Sequence, residues 1–340
     1  MIFVLRHIQE KCREQNIGLY GAFVDLTKAF DTVSRDKLWK ILARLGCPPK
    51  FLTIFRQLHE GQQGQSKHNG SLSGSFPISN GVKQGCVLDP IMFSIFSSIM
   101  LRESKEDLPD GIYIRFRTDG SLFNLRRLLA HTKTIEELIT ELLFTYDYVL
   151  FAHTEESLQH NVNRFSDAAK NFGLIISLTK TEVLYQPPIR VAYSPHISID
   201  GTNLNAVEHF TYLGSIFSND PTVSKDLGNH LSKASSSFGR LSKRVWQSHS
   251  LCLFTKFQVY RPSSFPPFLY GAEALVLCRK QIRLLDRFYQ RCLRSILGIK
   301  WQDHVLNEEV LKRASLPSIQ SILLQVSQGW KTYACSKWSS

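Results

Sequence analysis

The chain has 340 residues, 43% hydrophobic and 21% charged, so it can bury a sizeable core and carries no polar or repetitive tract of disordered type. Its seven cysteines (Cys12, Cys47, Cys86, Cys252, Cys278, Cys292, Cys335) are scattered and form no CxxC pair. That pattern argues against a disulfide framework and against a zinc knuckle. A net charge of +12 points to a polyanionic partner, nucleic acid first, and the surplus is concentrated late: Lys233 to Arg313 holds fifteen Lys/Arg against five Asp/Glu. Met1-Ile2-Phe3-Val4-Leu5-Arg6-His7 turns charged too early for a signal peptide, and no apolar run is long enough to span a bilayer. An intracellular protein without a membrane partner is expected.

The first expected element is a helix over residues 2–15, followed by a strand from Gly18 to Leu26. Ser34 is placed to cap a helix over Arg35–Leu45, and Pro48-Pro49 opens another through Leu58. Residues 63–80, rich in Gly, Ser and Asn, predict a hairpin. Asp89 is expected to cap, and Pro90 to start, the apolar helix Ile91–Leu101. Alternation over Ile112–Arg117 predicts a strand, and two more, Leu142–Thr145 and Tyr148–Ala152, are expected to turn tightly at Tyr146-Asp147. The helix Glu155–Phe172 shows a core face of Leu158, Val162, Phe165, Ala169 and Phe172, with Thr154 as cap and Gly173 as stop. Short strands follow around Ile197–Ile199 and Phe210–Leu213. From Asp226 to Gly298 the pattern is helical, with a boundary expected near residue 220.

Asp25, at a strand end, and Asp147, at a hairpin, are each weak as catalytic signals, because such aspartates are usually turn formers or helix caps. Their surroundings are stronger. Phe23-Val24-Asp25-Leu26-Thr27-Lys28-Ala29-Phe30-Asp31-Thr32-Val33 resembles the first palm motif of reverse transcriptases of non-LTR retrotransposons, and Gly81-Val82-Lys83-Gln84-Gly85-Cys86-Val87-Leu88-Asp89-Pro90 their second. Phe144-Thr145-Tyr146-Asp147 stands where that family has its Phe-Ala-Asp-Asp hairpin. Phe172-Gly173-Leu174 through Lys180-Thr181-Glu182 resembles the next motif, and Phe210-Thr211-Tyr212-Leu213-Gly214 the primer grip. The likeness continues through Phe238-Gly239-Arg240-Leu241, Leu269-Tyr270-Gly271-Ala272-Glu273 and Ile299-Lys300-Trp301-Gln302, and looks closest to RTE-like and related LINE elements.

The resemblance implies an α+β fold: a right-hand polymerase palm, with an antiparallel sheet and helices on one side, then a mostly helical thumb. It assigns 1–220 to the palm with partial fingers, 221–300 to a thumb-like region and 301–340 to a helical tail. The implied activity is RNA-directed DNA polymerisation with two Mg²⁺ or Mn²⁺ ions, an RNA template, a DNA primer and dNTPs. Asp25 and Asp147 would be the metal ligands and catalytic carboxylates, and Lys180 the acid that protonates pyrophosphate. Phe30 would lie under the incoming sugar, while Gln84 and Gly85 would contact nucleotide and template. Tyr212, Leu213 and Gly214 would hold the primer. Arg283, Arg287, Arg291 and Arg294 recur at helical spacing opposite Leu284, Leu285, Phe288, Cys292 and Ile296, a pattern that suits phosphate tracking or a solvated face.

Two departures stand out. The first hairpin aspartate is replaced by Tyr146, and a register shift that made Asp147 the substitute would turn both strands inside out. A phenol is neutral near pH 7 and a poor Mg²⁺ ligand. With only twenty-four residues before Asp25, the resemblance further implies that the family's fingers and endonuclease lie outside this sequence. The expectation is a reverse transcriptase-like chain impaired in catalysis; a nucleic-acid-binding remnant without a polymerase role is the alternative.

Overall fold

The protein is described by a computed structural model over residues 1–83, 85, 87–105, 111–117, 134–188, 193–219, 223–272, 275 and 277–325. It forms two compact units: Ile8–Glu208, and Met1–His7 together with His209–Ser340. No described helix is long and apolar enough to cross a membrane.

In the first unit, the end of α1 (Ile2–Glu14) leads into β1 (Leu19–Asp25), a short α2 (Ala29–Thr32), α3 (Arg35–Arg44) and α4 (Pro49–His59). A long hairpin follows, in which β2 (Gln63–Gly64) pairs with β5 (Phe76–Pro77), and β3 (Lys67–His68) with β4 (Ser71–Leu72). Next come α5 (Asp89–Glu103), the ladder of β6 (Ile112–Arg117) with β7 (Thr134–Ile139), β8 (Glu141–Phe144), β9 (Asp147–Ala152) and α6 (Glu155–Phe172). The unit closes with β10 (Glu182–Gln186), β11 (Ser198–Ile199), β12 (Thr202–Asn203) and β13 (Asn205–Val207).

Five strands form the central sheet in the order β13-β10-β1-β9-β8, antiparallel except at the β10–β13 edge. Its period of two sorts the side chains into faces. Tyr20, Ala22 and Val24 of β1 join Tyr148, Leu150 and Ala152 of β9 in one core, against Leu38 and Trp39 of α3, Phe93 and Phe96 of α5, and Phe165 of α6. The expected layer of helices on one side of an antiparallel palm sheet is therefore present. Phe96 is wholly buried, and a truncation to Ala would cost about 3–5 kcal/mol.

Helix α6 follows its sequence signals: Thr154 Oγ1 accepts from the Ser157 N–H at 3.2 Å, and Gly173 closes the helix at φ 78°. Three details depart from expectation. Ser34 occupies the cap position of α3, but its hydroxyl makes no cap bond. Asp89 is the first residue of α5, whose cap position is Leu88, and its carboxylate meets the positive end of the helix dipole. The β8–β9 turn is Thr145-Tyr146 rather than Tyr146-Asp147, because Phe144 pairs with Asp147 and draws the aspartate into the strand.

In the second unit, β14 (His209–Tyr212) and β15 (Ser215–Ser218) form a hairpin, followed by α7 (Ser224–Arg240), a π-helical turn at Ser242–Trp246, α8 (Leu253–Leu269), α9 (Arg279–Leu297) and α10 (Asn307–Ala314). Its core gathers Trp246, Tyr260, Leu285, Phe288, Tyr289 and Leu293. The contacts divide the chain between Glu208 and His209 and group the β14–β15 hairpin with the helices. The reason is visible at α7. Asp226 accepts the Ile216 N–H at 2.7 Å and pairs at 2.8 Å with Arg6, whose guanidinium also donates to the Ile216 carbonyl at 2.9 Å.

Candidate active site

β1 is a fully buried run that ends in an acid, and β9 begins with one. The antiparallel register sets Asp25 directly opposite Asp147. Opposed residues in such a ladder share a face with Cβ atoms roughly 5 Å apart. That face is the one away from the helices, since the core-facing partners are Val24 and Tyr148. The backbone of Asp25 is fixed on both sides: its N–H donates to Thr181 Oγ1 at 3.3 Å, and its carbonyl accepts from the Ser177 N–H at 2.9 Å. Thr181, wholly buried, is a site residue that the sequence reading passed over; only its place between Lys180 and Glu182 could have marked it.

The two carboxylates repel. Partial burial raises the Asp147 carboxyl above its ordinary range, and the negative charge of Asp25 raises it further. Lys180 offsets part of that field, with Nζ 3.5 Å from Asp25 Oδ2 and a largely exposed side chain. Asp25 and Asp147 thus concentrate negative charge that a divalent cation would relieve.

Tyr146 occupies the second residue of the hairpin turn. Thr145 before it takes φ 59°, an unusual conformation for a β-branched residue that costs about 1–3 kcal/mol. The Tyr146 ring, 40% exposed, lies edge-on to Phe30 at 5.8 Å between centroids, and Phe30 in turn packs on Phe93 at 4.7 Å. Phe30, expected beneath the incoming sugar, is therefore in contact with Tyr146. Gly85 is exposed at φ 92°, an open backbone corner, while Gln84 lies outside the described residues.

The family profile described as "Reverse transcriptase (RNA-dependent DNA polymerase)" matches residues 3–217. The chain belongs to the reverse transcriptase family. Among its relatives, the RNA-directed DNA polymerase from the mobile element jockey of Drosophila melanogaster is 23% identical over 317 residues, covering 91% of this chain and 31% of that protein. The Pol polyprotein of a type-2 retrotransposable element from the same species is 26% identical over 308 residues, covering 87% of this chain and 26% of its own length. The chain thus spans less than a third of either relative. A telomerase from Candida albicans, solved with a fragment of telomeric RNA, is similar over 92% of this chain and 55% of its own, at 12% identity and a TM-score of 0.41. The expected kinship with non-LTR retrotransposon polymerases holds.

Reverse transcriptases use divalent metal ions, and the donor set can be tested for them. Among the described residues no three His, Cys, Asp or Glu side chains are gathered as a metal-binding group. Asp25 and Asp147 are the two carboxylates that the β1–β9 register sets side by side, and the neighbouring Tyr146 offers a phenol, a poor donor for a hard cation.

The remaining predicted residues lie in the second unit. Leu213 (φ 48°) and Gly214 (φ 85°) form the β14–β15 turn, and the Tyr270 hydroxyl donates to the Leu213 carbonyl at 2.6 Å. Tyr212 is buried beneath this hairpin against Phe217 rather than displayed on it. Arg283, Arg287 and Arg291 are exposed along α9, opposite Leu285, Phe288, Cys292 and Ile296 as expected. Leu284, expected among the core residues, is 44% exposed, since it falls at the margin of the apolar stripe. Arg294 differs from its neighbours: Nη2 donates to the Val305 carbonyl and to Asn307 Oδ1, both at 2.8 Å, which ties α9 to the start of α10.

Proposed function

We propose that this reverse transcriptase-like chain retains a nucleotide and primer–template binding surface, and that Tyr146 suppresses nucleotide addition. The observation that carries the reading is the pairing of Asp25 with Asp147, combined with a turn residue that cannot serve as a hard-cation ligand. Asp25 and Asp147 would hold a Mg²⁺ or Mn²⁺ ion. When bound, that ion supplies positive charge to the triphosphate and acidifies the primer hydroxyl. The chain's own residues then orient the substrate: Phe30 beneath the sugar, the Gly85 corner beside the base, and Lys180 as proton donor to the leaving group. An RNA template and a DNA primer, engaged by the Leu213-Gly214 turn and by Arg283, Arg287 and Arg291, are the proposed partners. The cell interior is the proposed location.

Primer extension on an RNA template with Mg²⁺ or Mn²⁺ tests the reading, with the unmodified chain compared against Tyr146→Asp. Loss of outer-shell support alone costs metal enzymes 10–100-fold, so restoring a direct ligand should raise the rate by more than about 100-fold. Equal synthesis by both chains overturns the proposed role of Tyr146. A Tyr146→Asp chain that binds primer–template but remains silent shows that Tyr146 does not account for the block by itself and implicates the fingers instead.

The reading without a polymerase role rests on the exposed arginines of α9. It predicts salt-dependent binding to single-stranded RNA and to primer–template alike, with no nucleotide effect on either.

A further inference from the structure

Arg35 is a cation in the first turn of α3, where the helix dipole disfavours positive charge. Partial burial works against its charge as well. Local propensity therefore gives no reason for an arginine here, and conflicts of this kind tend to mark residues recruited for something other than helix stability.

Its guanidinium instead converges on five oxygens from three separate places. Nε donates to the Gly81 carbonyl at 2.8 Å, and Nη1 to the His59 carbonyl at 2.5 Å and the Ile78 carbonyl at 3.1 Å. Nη2 reaches Gln62 Oε1 at 2.7 Å and the Asn80 carbonyl at 3.2 Å. One side chain thus joins the end of α4, the base of the long hairpin and the segment from Ile78 to Gly81. A planar fork can satisfy such a set, whereas the point charge of a lysine cannot.

That segment is pressed against the residue proposed to face the sugar. Val82 donates to the Phe30 carbonyl at 2.9 Å, and Gly81 to the Val33 carbonyl at 2.9 Å. Gly81 sits at φ 81°, so close that a Cβ would lie 2.7 Å from the Asp31 Cα. His59 continues the brace. Its Nε2 accepts the Lys83 N–H at 3.4 Å, which leaves the proton on Nδ1 for the Phe55 carbonyl at 2.8 Å, and the ring meets Trp39 edge-on.

We infer that Arg35 is a positioning residue for the nucleotide subsite: by gripping the carbonyls of Ile78, Asn80 and Gly81 it fixes the segment that locks Phe30 and leads to Gly85. The inference rests on the proposed nucleotide-binding reading.

The test uses the full chain with Arg35→Lys and, as a second variant, Arg35→Gln. Amide hydrogen exchange reads the positioning directly. The Gly81 and Val82 amides should exchange about tenfold faster or more, the effect of losing one or two charge-assisted hydrogen bonds, while amides of α6 stay unchanged. Equilibrium binding of a fluorescent dNTP with Mn²⁺ and primer–template should weaken by about tenfold, with primer–template affinity unaltered. Unchanged exchange at Gly81 and Val82 overturns the inference. So does an equal acceleration in α6, which would make Arg35 a general stabiliser, or loosened exchange with undiminished dNTP affinity. If the unmodified chain binds no dNTP, the nucleotide-binding reading fails and the role inferred for Arg35 falls with it; local loosening at Gly81 and Val82 in that case identifies a brace of the loop alone.

Discussion

The ion pair beneath the β14–β15 hairpin offers a quantitative test of how the second unit is held together. Asp226 is wholly buried and Arg6 is 10% exposed, at 2.8 Å. Burial alone would raise the Asp226 carboxyl. Hydrogen bonds from His230 and the Ile216 N–H, with the charges of His230 and Arg6, outweigh it and hold the group below the ordinary carboxylate range. Asp226→Asn keeps an acceptor for Ile216 but strands the guanidinium of Arg6 over the Phe217 ring, 4.7 Å from its centroid. Leaving one member of a buried pair uncompensated costs about 3–5 kcal/mol. At roughly 4 °C per kcal/mol for a unit of this size, the melting transition should fall by about 12–20 °C. Adding Arg6→Met removes the stranded charge and should restore the midpoint to within about 1 kcal/mol of the parent. The depressed carboxyl contributes stability that is complete above its unfolded value of about 3.9 and is lost as pH falls through the lower folded value. The gap between parent and Asp226→Asn should therefore narrow below about pH 4. Calorimetry of the three chains between pH 3 and 7 measures all of this. A double variant no more stable than Asp226→Asn would refute the argument that the unpaired charge is the source of the loss.

Gly81→Ala forces a Cβ into the Asp31 backbone and a side chain onto positive φ. It should cost more than about 1 kcal/mol in urea denaturation, and an unchanged midpoint would contradict the close approach. The Tyr148 hydroxyl, bonded to Ser97 Oγ at 2.5 Å, is pushed up to about 12 by burial. Its contribution is whole below the unfolded value of about 10 and should fade by roughly 3 kcal/mol as pH rises to 12, a loss that Tyr148→Phe should abolish in urea midpoints taken from pH 9 to 12. Replacing Arg283, Arg287 or Arg291 by Ala should each lower the salt dependence of primer–template binding by about one phosphate contact. Arg294→Ala should leave that slope alone and destabilise the fold, as thermal melts would show.

Much of this was legible in the sequence because the signals were local. The Thr154 cap, the Gly173 stop and the heptad-like face between them define α6 without reference to anything distant. β1 announced itself as an apolar run ending in an acid. What escaped notice depends on pairing across the chain. β10 was missed because Glu182–Gln186 becomes a strand by lying beside β1, and β15 because it completes a hairpin with β14. The turn at β8–β9 was misplaced by one residue, since Asp147 reads as a turn former until Phe144 pairs with it. Nothing local marks Arg35 or Arg6: their partners lie at Gly81 and Asp226, separations at which no periodicity operates.

The position of Tyr146 has a consequence for how such a chain changes over generations. Its side chain projects from a turn, partly in solvent, and belongs to no core cluster. The ladder of β8 with β9 pairs Phe144 with Asp147 and leaves position 146 out of the register. Selection for folding therefore bears less on this residue than on the core around it, and what stands there is set mainly by the demands of the site. Position 146 is thus a place where the site can change by a single substitution while the fold persists.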